Sequence, residues 1–198
     1  DSKGTLFSAG LGKDSSFELE LVKRNWILLG FEPEPDCYLE SQKQFKHTNA
    51  KLFNFGIWDK AGEFKFYGES ISIVNIFNFD KPSEQTLKIQ SLWEVVKVIG
   101  IGNMGHPRVL KMNIEGAERE ILLRFIKEPL PFDLIIFQAE FLFHLGFKRI
   151  RKKIIAFLEL YKILDEFIEH DWKVLDISRH QITLMYSKKQ LQSSSLSR

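Results

Sequence analysis

Residues 108–120, RVLKMNIEGAERE, place an amide and two carboxylates around a glycine, directly after an apolar run. The apolar half predicts a buried strand over 108–114, and Asn113, Glu115 and Glu118 gather where that strand ends. Carboxylates at such a position contact ligands or act as general bases. They also stabilise the first turn of a following helix, where the helix dipole favours negative charge. The helix role is the stronger interpretation for Glu118, whereas Glu115 is a candidate contact to a ligand.

A second cluster lies near the start of the chain, in SAGLGKDSSF at 8–17. Gly10 and Gly12 stand between a predicted strand and a predicted helix, where glycine lets a ligand approach the backbone closely. Glu32 ends the next strand, 22 positions after Gly10, where an acid accepts hydrogen bonds from both ribose hydroxyls. The combination predicts a bound nucleoside, although the third glycine of the dinucleotide fingerprint is absent. The alternative is a tight turn beside a solvated acid.

A third cluster follows the run KLFNFGIW at 51–58, which predicts a third strand. Asp59 then stands at the mouth of that strand, beside the acid of the second, where it would meet the amino group of an adenine. Trp58 either stacks on that base or belongs to the core, and the sequence favours neither.

The elements that position these clusters alternate between strand and helix along the chain. The patterns predict strands at 5–10, 26–32, 51–58, 63–67, 108–114, 132–141, 172–178 and 181–188, and helices at 15–24, 36–45, 91–100, 116–127 and 150–169. Ser15 or Ser16 caps the first helix and Asp36 the second. The last helix carries an apolar stripe at positions 150, 154, 157, 158, 161, 164 and 168. Residues 68–86 show no period and predict a functional loop.

Such alternation predicts an α/β fold, a mostly parallel sheet with helices on both faces. Ligands bind such sheets outside the carboxyl ends of the strands, where the strand order reverses. The three clusters should therefore meet at one crevice. With 198 residues the chain is expected to form one domain over 1–188, followed by a polar tail at 189–198.

The composition of the chain limits the kinds of binding partner that we expect. The net charge of +2 does not predict binding to nucleic acid or to a membrane surface. The most apolar run contains Gln138, Glu140 and His144 and is therefore a strand rather than a membrane span. Cys37 is the single cysteine, so a reducing cytoplasm is the expected location. The basic run FKRIRKK at 147–153 is a solvated surface or a contact to an anionic acceptor.

Four motifs together resemble the FkbM-type methyltransferases. They are FSAGLGKDSSFELEL, GFEPEP, FGIWDKAGEFKFY and LKMNIEGAEREIL, and they occur in the order and spacing of that family over about 5–185. The resemblance implies a Rossmann-like class I methyltransferase fold, with a mostly parallel seven-stranded sheet and a C-terminal antiparallel hairpin. It also implies S-adenosylmethionine (SAM) as cofactor and methyl transfer to a hydroxyl of a small-molecule or carbohydrate acceptor.

Carried over residue by residue, the resemblance assigns roles around the crevice. Gly10 and Gly12 would face the methionine part of SAM, and Asp14 of the same motif joins the cofactor-binding residues. Glu32 would hold the ribose, and Trp58 and Asp59 would border the adenine. Ser70 and Ser72 would lie near the substrate, together with Glu115.

Two departures from the family pattern affect the chemistry. Asn113 stands where the family has Asp, and an amide can hydrogen-bond SAM but cannot act as a base. His144 is displaced from the family position after Glu140, so Glu140, His144 and Glu115 all remain candidate general bases. No histidines pair at metal-ligand spacing, and no metal is predicted. The alternative functions are a catalytically degenerate domain that binds SAM, another nucleoside or a partner, and, more weakly, a nucleotide-dependent oxidoreductase.

Overall fold

The computed structural model describes residues 3–66, 85–114, 116–139, 150–178 and 181–187. Five residues that the sequence assigns to the substrate or to catalysis lie outside these ranges: Ser70, Ser72, Glu115, Glu140 and His144. The predicted tail at 189–198 and most of the predicted loop at 68–86 also lie outside them. None of the described helices is long and apolar enough to cross a bilayer.

The described strands form two sheets. They are β1 (Thr5–Ala9), β2 (Ile27–Phe31), β3 (Lys51–Phe53), β4 (Gly56–Trp58), β5 (Gly62–Phe66), β6 (Gln85–Ser91), β7 (Arg108–Met112), β8 (Leu134–Gln138), β9 (Trp172–Ser178) and β10 (Gln181–Tyr186). The main sheet has the order β3-β2-β1-β7-β8-β10-β9, and β10 runs antiparallel to both of its neighbours while all other pairs are parallel. The prediction of a mostly parallel seven-stranded sheet with a C-terminal antiparallel hairpin is confirmed.

Helices cover both faces of this sheet. They are α1 (Ser16–Lys23), α2 (Pro35–Gln44), α3 (Leu92–Ile99), α4 (Glu118–Lys127) and α5 (Ile150–Glu169). Because strand side chains alternate between faces, Leu6 and Leu28 pack with α1 and the end of α2. Phe7 and Leu29 point the other way, into a larger core that also holds buried residues of α3, α4 and α5.

The prediction of one continuous third strand over 51–58 is wrong. The run 51–58 breaks after Phe53, and β4 leaves the main sheet to pair with β6 in a three-stranded sheet of order β4-β6-β5. At the break the Asn54 amide donates a 3.0 Å hydrogen bond to the carbonyl oxygen of Glu32, 22 residues earlier in the chain. Gly56 then packs closely on β6, where an added Cβ would lie 2.6 Å from the Ile89 side chain. The pattern alone did not predict β6.

Helix α2 begins differently from the prediction. The cap is Glu34, not Asp36, and its carboxylate accepts hydrogen bonds from the N–H groups of Asp36 (3.2 Å) and Cys37 (2.7 Å). Pro35 occupies the first helical position, which suits a residue without an N–H group. The cap therefore lies two residues earlier than the prediction, and it places a carboxylate beside the single cysteine.

Candidate functional site

The carboxyl ends of β1 and β7 meet at the point where the strand order of the main sheet reverses. From β1 the chain proceeds outward through β2 and β3, whereas β7 and β8 extend the sheet on the other side. Parallel sheets bind ligands at such a point. The two motifs that the sequence placed here, about 100 residues apart, are brought together by the register of β1 with β7, in which Ala9 lies opposite Met112.

The turn after β1 is packed tightly at its first glycine and open at its second. At Gly10 the backbone has φ +80°, and an added Cβ would lie 2.0 Å from the backbone oxygen of Asn113. At Gly12 φ is +61°, and an added Cβ would meet no atom within 4 Å. Gly10 therefore permits the close approach of two strand ends, whereas Gly12 leaves space in which a ligand can contact the backbone.

Glu32, directly after β2, lies beside this turn and is 5% exposed. Its carboxylate accepts hydrogen bonds from the N–H groups of Gly12 (2.8 Å) and Glu34 (3.0 Å). Burial raises the pKa of Glu32, and these N–H groups oppose that rise only in part. The N–H of Leu11 also lowers this pKa. A carboxylate has about four acceptor sites, so these backbone hydrogen bonds still leave capacity for a ligand hydroxyl.

Asn113 directly follows β7 on the other side of the glycine turn. Its N–H donates a 2.9 Å hydrogen bond to the Ala9 oxygen, so its backbone is fixed against β1. Its side-chain oxygen Oδ1 is buried and finds no hydrogen-bond partner in the described part of the chain. A buried amide oxygen without a partner costs about 1–3 kcal/mol, which marks the position as one where a donor from outside the described residues is expected.

Glu118, the first residue of α4, accepts hydrogen bonds from the turn that follows Asn113. Its carboxylate accepts hydrogen bonds from the N–H groups of Ile114 and Gly116, both at 2.8 Å, and the residue is completely buried. These contacts fix the chain where it leaves β7. Glu118 therefore holds the backbone in place, which agrees with the structural interpretation of the sequence.

Asp59 and Trp58 lie at the end of β4, not at the end of the third strand of the main sheet. The position beside Glu32 that the sequence assigned to Asp59 is occupied by Asn54, because the chain leaves the main sheet there. Trp58 is buried in the large core. It forms a T-shaped contact with Phe64, whose ring centroid lies 5.2 Å from its own, and the Lys60 ammonium lies over its ring, 4.5 Å from the centroid.

The backbone oxygen of Asp59 accepts a 2.6 Å hydrogen bond from Arg124 of α4. Asp59 Oδ1 and Trp58 Nε1 are both buried without a hydrogen-bond partner among the described residues. Trp58 and Asp59 therefore resemble Asn113, because each has a buried polar side-chain atom without a hydrogen-bond partner among the described residues.

Asp14 is exposed and lies before α1. It accepts a 3.0 Å hydrogen bond from the N–H of Ser16, and hydrogen bonds from Ser16 lower its pKa. This contact supports the start of the helix. It leaves Asp14 on the solvent side of the glycine turn.

A buried polar cluster beneath the turn was not predicted. Glu18 of α1 is completely buried and accepts hydrogen bonds through Oε1 from Ser8 (2.7 Å) and from the Lys111 ammonium (2.6 Å). The cluster joins α1, β1 and β7 just behind the crevice. Ser8 and Lys111 are polar residues within two apolar strands, and they lie opposite each other in register. This pair was the feature of the sequence from which the cluster could have been predicted.

No group of three or more His, Cys, Asp or Glu residues that would hold a metal ion occurs in the described ranges. No family model matches the chain, and no curated protein matches it.

Proposed function

We propose that this chain binds SAM at the crevice between β1 and β7 and transfers its methyl group to a hydroxyl of a small-molecule or carbohydrate acceptor. The main sheet agrees with the one that the resemblance to FkbM-type methyltransferases implies, because it has seven mostly parallel strands and a C-terminal antiparallel hairpin. A sheet of this kind supports many activities, so the proposal depends on the site.

The observation that carries the proposal is the unpartnered amide oxygen of Asn113 beside an open glycine turn. Buried polar atoms without partners are rare in native folds, and a ligand is one of the groups that supply the missing hydrogen bond. Of the five buried side-chain atoms without a partner among the described residues, three belong to residues that the sequence assigned to the cofactor: Trp58, Asp59 and Asn113. The remaining two are Glu18 Oε2 and Ser41 Oγ.

The residues of the crevice fit the parts of SAM. The space at Gly12 admits the backbone contact that a methionine moiety needs, and the Asn113 oxygen accepts a hydrogen bond from its ammonium group. Glu32 lies within hydrogen-bond distance of the same turn and has acceptor capacity for ribose hydroxyls. A ligand held by these groups bridges the ends of β2, β1 and β7.

When bound, SAM supplies an electrophilic methyl group on a sulfonium. The described residues bind and orient the cofactor, which aligns the methyl group with an incoming oxygen. An alcohol acceptor also needs a base to take its proton. The candidates for that step, Glu115, Glu140 and His144, lie outside the described residues, and Asn113 cannot perform it.

Calorimetric titration of the chain with SAM and, separately, with NAD tests cofactor choice. We expect saturable binding of SAM and none of NAD. Methyl transfer is tested by following S-adenosylhomocysteine release over a panel of hydroxylated acceptors. Binding of NAD in preference to SAM would contradict the proposal.

Two variants of Asn113 test its role. If the amide oxygen accepts a hydrogen bond from SAM, Asn113→Asp keeps an acceptor and changes the SAM Kd by less than about tenfold, whereas Asn113→Ala weakens binding by about 5- to 30-fold. If position 113 is instead a lost catalytic acid, Asn113→Asp raises turnover more than about tenfold and Asn113→Ala changes little. We expect the first pattern, because the motif around the residue is otherwise intact.

The second candidate function is a domain that binds a nucleoside or a partner without catalysis. The observation in its favour is the neutral Asn113 at the position where the family carries an acid. The acceptor panel separates the two functions, since SAM binding without turnover on any acceptor supports the second and turnover excludes it.

A further inference from the structure

A cavity of about 610 Å³ opens at the edge of the main sheet opposite the crevice. It lies where β7 and β8 begin, because Arg108 opens β7, Asp133 directly precedes β8, and both line it. Arg108 and Met112, the first and last residues of β7, are about 13 Å apart. None of the residues assigned to the crevice lines the cavity, which is therefore a separate site. Its volume is within the range of about 300–1,000 Å³ that is typical of small-molecule sites.

The walls of the cavity are largely aromatic. Phe125, Phe167 and Trp172 are buried there, and the Trp172 ring makes a T-shaped contact with each of the other two, at 5.6 Å between centroids. Tyr186, the last residue of β10, also lines the cavity; it is 39% exposed, and its ring centroid lies 5.4 Å from that of Trp172. Packing therefore fixes the Trp172 ring, while the Tyr186 ring remains accessible. Aromatic walls of this kind pack against planar apolar groups and attract cations through the ring faces.

Two polar side chains of the lining keep hydrogen-bonding capacity for a ligand. Asp133 uses only Oδ2, which accepts hydrogen bonds from His106 (2.7 Å) and from the N–H (2.8 Å) and Nε (3.5 Å) of Arg108. Arg108 is 8% exposed, and its Nη1 donates a 2.9 Å hydrogen bond to the Gly102 oxygen. Asp133 Oδ1 and Arg108 Nη2 form no hydrogen bond among the described residues. The pair compensates its own charge and offers a ligand one acceptor and one donor group.

The charge of the lining favours a cation. Three of the described lining residues carry carboxylates, Asp133, Glu169 and Asp171, and they outnumber the cationic groups, Arg108 and His170, even when the histidine is protonated. Glu169, the last residue of α5, is exposed and forms no ion pair with any described residue. A site whose charge is negative concentrates cations and disfavours anions.

We propose that this cavity binds a small organic cation, an amine with a planar aromatic body. The aromatic body packs against Trp172 and Tyr186, and the ammonium group is attracted by the carboxylates of the lining, of which Glu169 is uncompensated. The proposal is independent of the methyltransferase function, because the cavity and the crevice share no residue. Failure of SAM to bind would leave it untouched.

Three indole compounds that differ in the charge of the side chain test the ligand class. They are tryptamine, a cation, tryptophol, which is neutral, and indole-3-acetate, an anion. In titrations of the full chain followed by nuclear magnetic resonance, we expect tryptamine to saturate with a Kd of about 0.1–1 mM. The other two should bind at least about fivefold more weakly. No saturation up to about 10 mM tryptamine, or equal affinity for the three compounds, would overturn the proposal.

The same titrations locate the bound molecule. The chain has four tryptophans, so an isotope-labelled sample gives four indole N–H signals, and Trp172→Phe identifies the one that belongs to Trp172. We expect this signal to shift as tryptamine is added, with the same Kd as the overall binding. Saturable binding that leaves the Trp172 signal in place would overturn the assignment to the cavity.

Two pairs of variants test the carboxylate and the aromatic wall. Glu169→Gln should weaken tryptamine binding about two- to fivefold, since the carboxylate is exposed. Glu166→Gln is its matched control, because Glu166 is an exposed acid of the same helix outside the cavity. Tyr186→Leu should weaken binding by a similar factor, whereas Tyr161→Leu, an exposed tyrosine outside the cavity, should not. Circular dichroism checks that the variants fold. Folded Glu169→Gln and Tyr186→Leu chains that bind tryptamine as tightly as their controls would overturn the proposal.

Discussion

The two glycines of the turn after β1 should respond differently to alanine, and the difference can be worked out from the structure. A Cβ at Gly10 would lie 2.0 Å from the Asn113 oxygen, whereas ordinary contacts begin at 3.4 Å. To relieve this clash between the added Cβ and the Asn113 oxygen, the ends of β1 and β7 must separate by more than 1 Å. The hydrogen bonds from Asn113 to Ala9 and from Gly10 to Phe31 resist that movement.

The expected cost of Gly10→Ala has two parts. A left-handed backbone costs about 1–2 kcal/mol for a residue with a Cβ. Weakening two backbone hydrogen bonds adds about 1–3 kcal/mol. The sum, about 2–5 kcal/mol, corresponds to a fall in Tm of roughly 4–20 °C for a chain of this size. Gly12→Ala incurs only the cost of the left-handed backbone, so its Tm should fall by roughly 2–8 °C.

Urea denaturation of both variants measures these costs, and calorimetry with SAM measures binding. Gly100→Ala is the control for backbone strain, since Gly100 has φ +70°, lies after α3 and would place its Cβ 3.8 Å from the nearest atom. Gly12→Ala should match this control in stability and yet lose SAM affinity at least tenfold, because its Cβ enters the space assigned to the cofactor. Equal stability of the Gly10 and Gly12 variants would refute the close approach. Unchanged SAM binding by Gly12→Ala would refute the position of the site.

Three further predictions concern titratable groups. Burial and the Glu34 carboxylate raise the pKa of Cys37 to about 12. Its alkylation at pH 8 should therefore be at least tenfold slower in the folded chain than in urea, and Glu34→Gln should speed it. Burial alone would raise the pKa of Asp133, but the hydrogen bonds it accepts from Arg108 and His106 hold that pKa below its usual value, so its ionised form stabilises the fold at neutral pH. In urea titrations Asp133→Asn should lower stability at pH 5, and the difference should shrink as the pH falls below about 4. Glu118→Gln leaves one of two bonded N–H groups without an acceptor and should lower the free energy of unfolding by about 1–3 kcal/mol in the same assay. Glu120→Gln should change it little, because the Glu120 side chain is 34% exposed to solvent.

The sheet could be predicted because its signals are local and mutually consistent. Apolar runs such as 27–31 and 108–112 are followed directly by a polar or charged residue, and helices lie between the strands along the chain. Parallel connection then follows from the alternation itself. Since all parallel strands end at one edge, the sequence could also bring the glycine turn and Asn113 together without any knowledge of contacts.

The second sheet could not be predicted in the same way. The run 51–58 is continuous in hydrophobicity, and what divides it is a hydrogen bond from Asn54 to a carbonyl 22 residues earlier. β6 pairs with two strands of which one, β4, became available only because of that break. A pairing that depends on another pairing has no signature in a local pattern, so Asp59 was assigned to a strand end that Asn54 occupies.

The buried cluster of Ser8, Glu18 and Lys111 shows a second limit. Sequence patterns assign polar residues to the surface, yet Glu18 and Lys111, 93 residues apart, compensate each other's charge behind the crevice. Removing one partner of such a pair leaves an uncompensated buried charge and costs more than the pair itself contributes.

Glu118 and Asn113 differ in whether their buried polar atoms have hydrogen-bond partners. Both are polar residues at one strand end, but the Glu118 carboxylate accepts hydrogen bonds from two backbone N–H groups, whereas the Asn113 oxygen has no partner among the described residues. Whether a polar atom is satisfied depends on contacts in three dimensions, and this difference, rather than residue type, makes Asn113 the better candidate for binding a ligand.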